Sequence, residues 1–457
     1  MKGRIHLVGI GGAGLSAIAR VLHERGETVT GSDQAHSIYT QALEQIGIPV
    51  VYGHRAENVA GADVVLASSA VPDSNIELET ARAAGIPVLR RAAFLGELTA
   101  EKQTIAVAGT HGKSTTSGMI AWLLDQADRS PSFIVGGVLI DYNTNAHSGD
   151  GMLFVIEADE YARTFLGLQP SVAVVTNVEH DHPDTYPTVA EFQSAFRAFA
   201  RQVEDLLVVC ADDPVASSLL PEAAARITYG LGDEADWRAE EIRPNAAGGS
   251  DFLVLRRGEV LGLARIRLPG EHNVLNALAA LAVVDYLGVE FKEAREGLTA
   301  FRGVGRRFEI LGEMAGVTVV DDYAHHPTEI RATLRAARQR FPDQTLWAVF
   351  QPHTFSRARI LLHEFVTAFE DADHVIVTEV FASREKPDPE MSGSVIAEQI
   401  EHPDVRFCDT LSQAAEDLLE RVRPDSVVVT LSAGDGNEVG KMLLQNLSKP
   451  EGGKSHA

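Results

Sequence analysis

Two glycine turns, each lying between a short apolar run and a helical stretch, limit what this chain can fold into more than any other feature. Arg4–Gly9 (RIHLVG) runs into Gly9-Ile-Gly11-Gly12-Ala-Gly14, and Ala13–Arg25 follows with Leu15, Ile18, Ala19 and Leu22 at helical spacing. TIAVAG runs into Gly109-Thr110-His111-Gly112-Lys113-Ser114-Thr115, and Thr115–Ala127 reads as the next helix. A strand that turns on glycine into a helix opens a parallel βαβ unit. Further buried-strand candidates extend the alternation. They are Thr28–Gly31, Asp63–Ala67 and Ile86–Leu89, then Leu153–Ala158 and Val172–Asn177, then Val317–Asp321, Leu346–Phe350, His374–Thr378 and Ser426–Leu431. Asn273–Leu287 and Pro327–Arg340 read as helices, the second with proline in its first turn, where the missing N–H costs nothing. The more polar part from Arg226 to Leu268 reads as an antiparallel insert. With 457 residues the chain is long enough for roughly three domains at about 150 residues each. The expected units are 1–99, 100–305 and 306–447, all α/β, with a flexible polar tail over 448–457.

Composition matters through charge. Forty Lys and Arg against 64 Asp and Glu leave a net charge of −24, which excludes a broadly basic nucleic-acid surface. An anionic ligand must therefore sit in a locally positive pocket. Cys210 and Cys408 cannot form a disulfide framework and lack metal-site spacing, which fits a reducing cytoplasm. The opening residues have no long apolar region, and no run of about 18 apolar residues predicts a membrane span.

The first turn, GxGxxG, lets a backbone approach a pyrophosphate at a helix N-terminus. Asp33 follows the second strand, where a carboxylate can reach a ribose hydroxyl. NAD, FAD and a UDP-sugar all satisfy this pattern. The second turn places Lys113 and Ser114 directly after glycine, as a triphosphate cradle does, although Val107 breaks the full GxxxxGK[ST] spacing. Loop N–H groups would hold phosphates, Lys113 the terminal ones, and Ser114 a Mg²⁺. Glu157-Ala-Asp159-Glu160 ends an apolar strand, which suits Glu157 to Mg²⁺, while Glu160 reads equally as a helix-start charge. Thr176-Asn177-Val-Glu179-His180-Asp181-His182 ends another, with His182 a candidate for a second metal or phosphate contact. Glu271-His272-Asn273-Val-Leu-Asn276 opens a helix. Its asparagines can read an adenine edge, and Asn273 reads equally as an N-cap. Asp321-Asp322-Tyr323-Ala-His325-His326 and Gln351-Pro352-His353-Thr354-Phe355-Ser356-Arg357 end two strands of the third unit. Arg306 and Arg307 lie at its entrance, placed either to clamp a phosphate or as linker charge.

These segments together resemble a known family. VGIGGAGLSAIA, SSAVPDSN, AVAGTHGKSTT, EADE, TNVEHDHPDTY, PGEHNVLNALAA, GVGRRFE, VVDDYAHHPTEI and FQPHTFSR occur in the order found in the Mur ligases of bacterial cell-wall synthesis, and the likeness spans nearly the whole chain. The resemblance implies the three-domain Mur ligase architecture, with a Rossmann-like N-terminal domain, a P-loop ATPase-like central domain and a Rossmann-like C-terminal domain. It implies that Gly11, Gly12, Gly14, Asp33 and Ser69 bind a UDP-sugar. Gly109–Thr115, His272, Asn273 and Asn276 would hold ATP, and Ser114, Glu157 and His182 would serve Mg²⁺. Arg307 and Asp322 would act in ATP use and closure, with His353 and Arg357 at the incoming amino acid and His326 as its base. In the alanine-adding branch the reaction joins L-alanine to the lactyl carboxylate of UDP-N-acetylmuramate through an acyl phosphate. The resemblance further implies a cytoplasmic monomer or homodimer without nucleic-acid or membrane partners. Two departures stand out. Tyr161-Ala162-Arg163 replaces the serine–aspartate pair frequent after EADE. No lysine lies between Lys113 and Lys292, so that stretch cannot supply the carbamylated lysine several relatives use. The rival readings are a recycling ligase that takes a murein tripeptide, a dinucleotide-dependent oxidoreductase, and a nucleotide-binding module without chemistry.

Overall fold

The computed structural model describes residues 3–219, 221, 224–383 and 385–448. The expected flexible tail falls outside them, apart from Ser448, which caps the last helix.

The first sheet holds β1 (Arg4–Val8), β2 (Thr28–Asp33), β3 (Val50–Tyr52), β4 (Val64–Ala67) and β5 (Val88–Arg90). All are parallel in the order β3-β2-β1-β4-β5, with α1 (Ala13–Glu24), α2 (Ile38–Gln45), α3 (Ile76–Ala83) and α4 (Arg91–Thr99) between or after them. The strand order reverses beside β1, so the first glycine turn lies at the switch point where open α/β sheets bind ligands.

Beneath that turn sits a buried polar network. Glu77, fully buried, accepts from Ser32 Oγ at 2.6 Å and from Asn58 Nδ2 at 2.5 Å. His6 Nε2 and His54 Nδ1 each lie 3.3 Å from its carboxylate. Burial alone would raise its pKa, but the bonds from His6, Ser32 and Asn58 outweigh it and hold the group at about 2.

The second sheet has ten strands. They are β6 (Gln103–Ala108), β7 (Ser132–Leu139), β8 (Thr144–His147), β9 (Leu153–Glu157), β10 (Val172–Val175), β11 (Leu206–Cys210), β12 (Ala225–Gly230), β13 (Trp237–Pro244), β14 (Ser250–Arg256) and β15 (Glu259–Ile266). Their order is β15-β14-β13-β12-β11-β10-β6-β9-β7-β8. The antiparallel insert expected over 226–268 is therefore no separate insert. β12 and β13 continue the parallel sheet, while β13-β14-β15 pair antiparallel as an extension of one edge, as β7-β8 do at the other. Helices α5 (Lys113–Gln126), α6 (Val189–Arg201), α7 (Pro214–Ser217), α8 (Glu271–Tyr286) and α9 (Phe291–Ala300) belong to this unit. The alanine-rich α8 buries nearly its whole circumference from Val274 to Val284, because it packs against α5 and the sheet.

The third sheet contains β16 (Glu309–Met314), β17 (Val317–Asp322), β18 (Thr345–Gln351), β19 (His374–Thr378), β20 (Val405–Cys408) and β21 (Ser426–Ser432), ordered β16-β17-β21-β18-β19-β20. Only β16 is antiparallel to its neighbour. Its helices are α10 (Pro327–Arg340), α11 (Phe355–Phe365), α12 (Gly393–Gln399), α13 (Leu411–Arg421) and α14 (Asn437–Leu447).

Glu77 supports the first sheet above its unfolded pKa of about 4.5, and that support fades as pH falls towards 2. Glu77→Ala, which strands His6 and Ser32, should cost about 3–5 kcal/mol of local stability. Hydrogen exchange of the β1 amides measures it, and the variant should also lose part of the acid sensitivity expected below pH 4.5.

Candidate active site

Three strand ends and their turns meet here. In the first turn Gly9 has φ +81°, and the N–H groups of Gly9 and Ile10 both donate to Ser32 O. Gly12 caps α1 without any side-chain bond, which leaves the helix N-terminus open to an anion. Asp33 behaves differently from the expectation. Its Oδ2 accepts from Gly11 N at 2.8 Å and its Oδ1 from Gln34 N and Ala35 N. The carboxylate braces the turn instead of standing free for a ribose. Gly14 faces the Arg91 guanidinium, and Ser69 is exposed in the loop after β4.

The second turn is stitched to the loop after β10. Thr110 Oγ1 donates to Glu179 O at 2.7 Å, His111 N to Asn177 Oδ1 at 2.9 Å, and Thr176 Oγ1 to His111 O at 2.6 Å. Gly109 has φ +136°, and a Cβ there would stand 1.9 Å from Thr176 Oγ1, so no larger residue fits. Gly112 is left-handed at the cap of α5, and a Cβ there would meet Asn276. Lys113 Nζ donates to Gly109 O at 2.6 Å, Thr110 O at 3.0 Å and Glu160 Oε1 at 2.9 Å. Its side chain therefore holds the loop it springs from. Burial works against its charge, yet Glu160, Glu157 and Asp159 push its pKa up.

Glu160 does stand at the start of a short 3₁₀ helix, Tyr161–Gly167, but its carboxylate is buried against Lys113, with His182 Nε2 3.5 Å away. His182 has φ +53°, a strained backbone for this residue type, and neighbours Asp181 as well. Glu157 ends β9 level with Val107 of β6, and its Oε2 accepts from Gly136 N at 2.6 Å. Asp159 pairs with Arg91 at 3.2 Å, which joins the two glycine turns. Left-handed Ala162 and Arg163 carry the chain away, and Arg163 stands over the Tyr186 ring.

A cavity of about 290 Å³ opens beside this loop. His111, Gly112, Ser114 and Thr115 form one wall, Asn273 and Asn276 another, and Arg307 and Asp322 close it from the third sheet. Asn273 is not the N-cap of α8; Gly270 is. Its Nδ2 donates to Pro269 O, Asn276 Nδ2 donates to its Oδ1, and Thr116 donates to Asn276 Oδ1. Burial, then the Arg307 charge, lowers His272 to about 4, so it is neutral. Asp322 accepts from Phe308 N and Ala324 N, and burial raises it to about 6 in spite of Arg307. Arg306 anchors the entry to this sheet. With φ +60° it reaches Asp321, Ser432 O and Gly434 O, while Phe308, φ +51°, lies buried beside the cavity.

Sequence reasoning missed the contacts that fasten the third sheet to the second. Glu329 Oε1 accepts from His111 Nδ1 at 3.1 Å, its Oε2 accepts from His325 N, and Arg307 lies 3.8 Å away. Glu179 accepts from Thr328 Oγ1 at 2.8 Å and meets His111 Nε2 at 2.7 Å. Burial opposes charge on His111, but the bonds to Glu179 and Glu329 hold its pKa at about 9. One signal did exist: Glu329 is the third residue past His326, the reciprocal position of a capping box.

Two expected roles change. Arg357 is buried and donates through Nε and Nη2 to buried Asp181, at 3.1 and 3.0 Å, while His353 Nδ1 lies 3.0 Å from Nη1. The guanidinium is thereby committed to a carboxylate of the second unit. His326 caps α10 by accepting from Thr328 N at Nδ1, so its neutral ring carries the proton on Nε2 and has no free lone pair for an amine proton. His325 instead donates from Nδ1 to Tyr323 O, which leaves Nε2 as the acceptor.

Family profiles match consecutive parts of the chain: the Mur ligase family catalytic domain over 4–103, the Mur ligase middle domain over 107–284, and the Mur ligase glutamate ligase domain over 306–434. The chain belongs to the Mur ligase family. Among Mur ligases it is 45% identical to the UDP-N-acetylmuramate–L-alanine ligase of Roseiflexus sp. (strain RS-1), over 97% of this chain and 98% of that one. The namesake of Salinibacter ruber is 44% identical, covering 97% and 95%. The crystal structure of the UDP-N-acetylmuramate–alanine ligase of Thermotoga maritima superposes with a TM-score of 0.83 at 32% identity, covering 97% and 98%. A murein peptide ligase from Psychrobacter arcticus gives 0.73 at 27%, covering 98% and 99%.

Arg357→Ala would strand Asp181 as a buried charge. It should cost about 3–5 kcal/mol, and adding Asp181→Asn should recover much of that. Thermal melts of the two single variants and the double variant check it; strictly additive losses would mean the pair is uncoupled.

Proposed function

We propose that this Mur ligase joins L-alanine to the lactyl carboxylate of UDP-N-acetylmuramate, converting ATP to ADP and phosphate. The observation that carries the reading is the cavity walled by the phosphate loop and closed by Arg307 and Asp322, in a chain whose full-length relatives bear the alanine ligase name. An oxidoreductase leaves that cavity, Lys113 and Glu160 without a task. The proposed division is 1–99 for the sugar nucleotide, 100–305 for ATP and 306–447 for closure and the amino acid.

A carboxylate is a poor electrophile. Attack by its oxygen on the γ-phosphorus expels ADP and makes an acyl phosphate. The neutral amine then adds to the carbonyl, and inorganic phosphate leaves as the amide forms. The demand on the protein is positioning and charge, not a nucleophile. The N–H groups at the start of α5 and the Lys113 ammonium face the phosphates, and Arg307 meets them from the other side. Lys113 is already anchored by Glu160, so little order is lost when the nucleotide enters. His272, Asn273 and Asn276 are fixed among themselves and suit a flat, uncharged base. The first turn, braced by Asp33, offers the open N-terminus of α1 to the diphosphate.

Mg²⁺ fits the donors present. Ser114, Glu157 and His182 offer a hydroxyl, a carboxylate and an imidazole and would hold it. So sparse a set suits an ion that keeps water and phosphate oxygens as ligands. When bound, it neutralises phosphate charge. No residue is assigned to the amine proton: His326 Nδ1 is engaged in the cap of α10, and burial holds His325 at about 3.

Lys113→Ala should lower ligation at least about 100-fold. It should also loosen the loop, since Gly109 O and Thr110 O lose their donor and Glu160 its cation. Steady-state kinetics with proteolysis near residue 110 tests both. Near-normal kinetics would remove Lys113 from the phosphate site. The substrate assignment is tested by phosphate release with UDP-N-acetylmuramate, Mg²⁺ and ATP, scanning single amino acids and the murein tripeptide. Release dependent on L-alanine, with the matching product mass, is expected; release with the tripeptide alone would make the chain a recycling ligase.

A further inference from the structure

One cluster at the junction of the second and third sheets has the chemistry of a metal centre and lies outside the magnesium set assigned above, although His111 also lines the nucleotide cavity. His111 in the phosphate loop, Glu179 in the loop after β10 and His326 at the cap of α10 each place one ligand atom within 4.8 Å of the other two. His111 Nε2 lies 2.7 Å from Glu179 Oε2, and His326 Nδ1 lies 3.9 Å from the same oxygen. A tetrahedral ion at about 2.0–2.2 Å from each ligand needs the ligand atoms about 3.3–3.6 Å apart, so Glu179 would draw back slightly from His111 Nε2 and His326 Nδ1 would close in.

The surroundings are those of metal-binding histidines. His111 gives its Nδ1 to the Glu329 carboxylate at 3.1 Å, which fixes the ring and turns Nε2 towards Glu179. This carboxylate–histidine arrangement orients ligands in zinc sites. Glu179 is steadied in turn by Thr328 Oγ1 on its other oxygen. His326 is 1% exposed, its side chain accepts within the cap of α10 (Thr328 N to Nδ1 is a long 3.3 Å), and Nε2 has no partner. An ion would displace that cap contact from His326 Nδ1 and the proton that His111 carries on Nε2, so binding releases a proton to solvent and weakens as pH falls.

We propose that His111, Glu179 and His326 bind one zinc-class divalent ion, separate from the magnesium set at Ser114, Glu157 and His182. Two imidazoles and one carboxylate select zinc or cobalt over magnesium, which prefers oxygen donors. Three protein ligands leave one position for water. Two of them lie in the second unit and one in the third, so the site is complete only when α10 rests on the phosphate loop. The ion therefore locks the closed arrangement and inhibits turnover by holding His111 and His326 together.

Tag-free, chelator-treated full-length protein titrated with ZnCl₂ in a calorimeter tests this. One ion per chain is expected, bound at least about tenfold more weakly by Glu179→Gln and by His326→Ala. Cobalt(II) added to the unmutated protein should give the visible absorption of a four-coordinate nitrogen–oxygen site, removed by zinc. Zinc should also slow hydrogen exchange at 109–113 and 326–330 together. No binding, binding that both variants retain unchanged, or a six-coordinate cobalt spectrum would each overturn the proposal.

Discussion

The buried ammonium of Lys113 organises the catalytic half of the molecule. It closes the phosphate loop on itself through Gly109 O and Thr110 O, and it fixes Glu160, the residue that follows Asp159 after the strand end. Through Glu160 it reaches His182, and through Asp159 the acidic segment reaches Arg91 and the first glycine turn. Taking Lys113 out of water is tolerable because three carboxylates and two carbonyls face it. A loop so held presents its N–H groups in one direction before any nucleotide arrives, which is what an electrostatic mechanism requires.

The third unit completes the site by charge complementarity across a seam. Glu329, Thr328 and Arg357 come from its helices, and His111, Glu179 and Asp181 from the loops they meet. Arg307 and Asp322 line the cavity opposite the loop. Closing the seam also buries Asp322, whose carboxyl rises to about 6 because burial outweighs its cationic neighbour.

Much of this was legible in the residues. Strand runs ending in glycine or in His and Asp gave the sheets, and Gly112-Lys113-Ser114 gave the loop, because such patterns depend on local backbone geometry. The helix from Pro327 to Arg340 was readable to the residue, since proline marks its start. What stayed hidden was pairing between distant segments. Nothing local says that Arg357 meets Asp181, that Asp33 turns back on Gly11, or that Glu160 lies under Lys113. The stretch 226–268 misled for a related reason: alternating polar residues mark a half-exposed edge, and sequence cannot tell an edge of the main sheet from a separate hairpin.

The residues that carry the chain into the third sheet show a conflict with an evolutionary consequence. Arg306 and Phe308 hold left-handed backbone angles that glycine adopts freely. Yet Arg306 ties the sheet edge through three partners, and Phe308 is buried beside the nucleotide cavity. Drift towards glycine at either position would ease the backbone while severing what the side chain does. Selection there acts against local preference, so the connector has few neutral neighbours in sequence space, whereas Gly26, Gly47 and Gly85, open turns with nothing near a Cβ, lack this opposition between backbone and side chain.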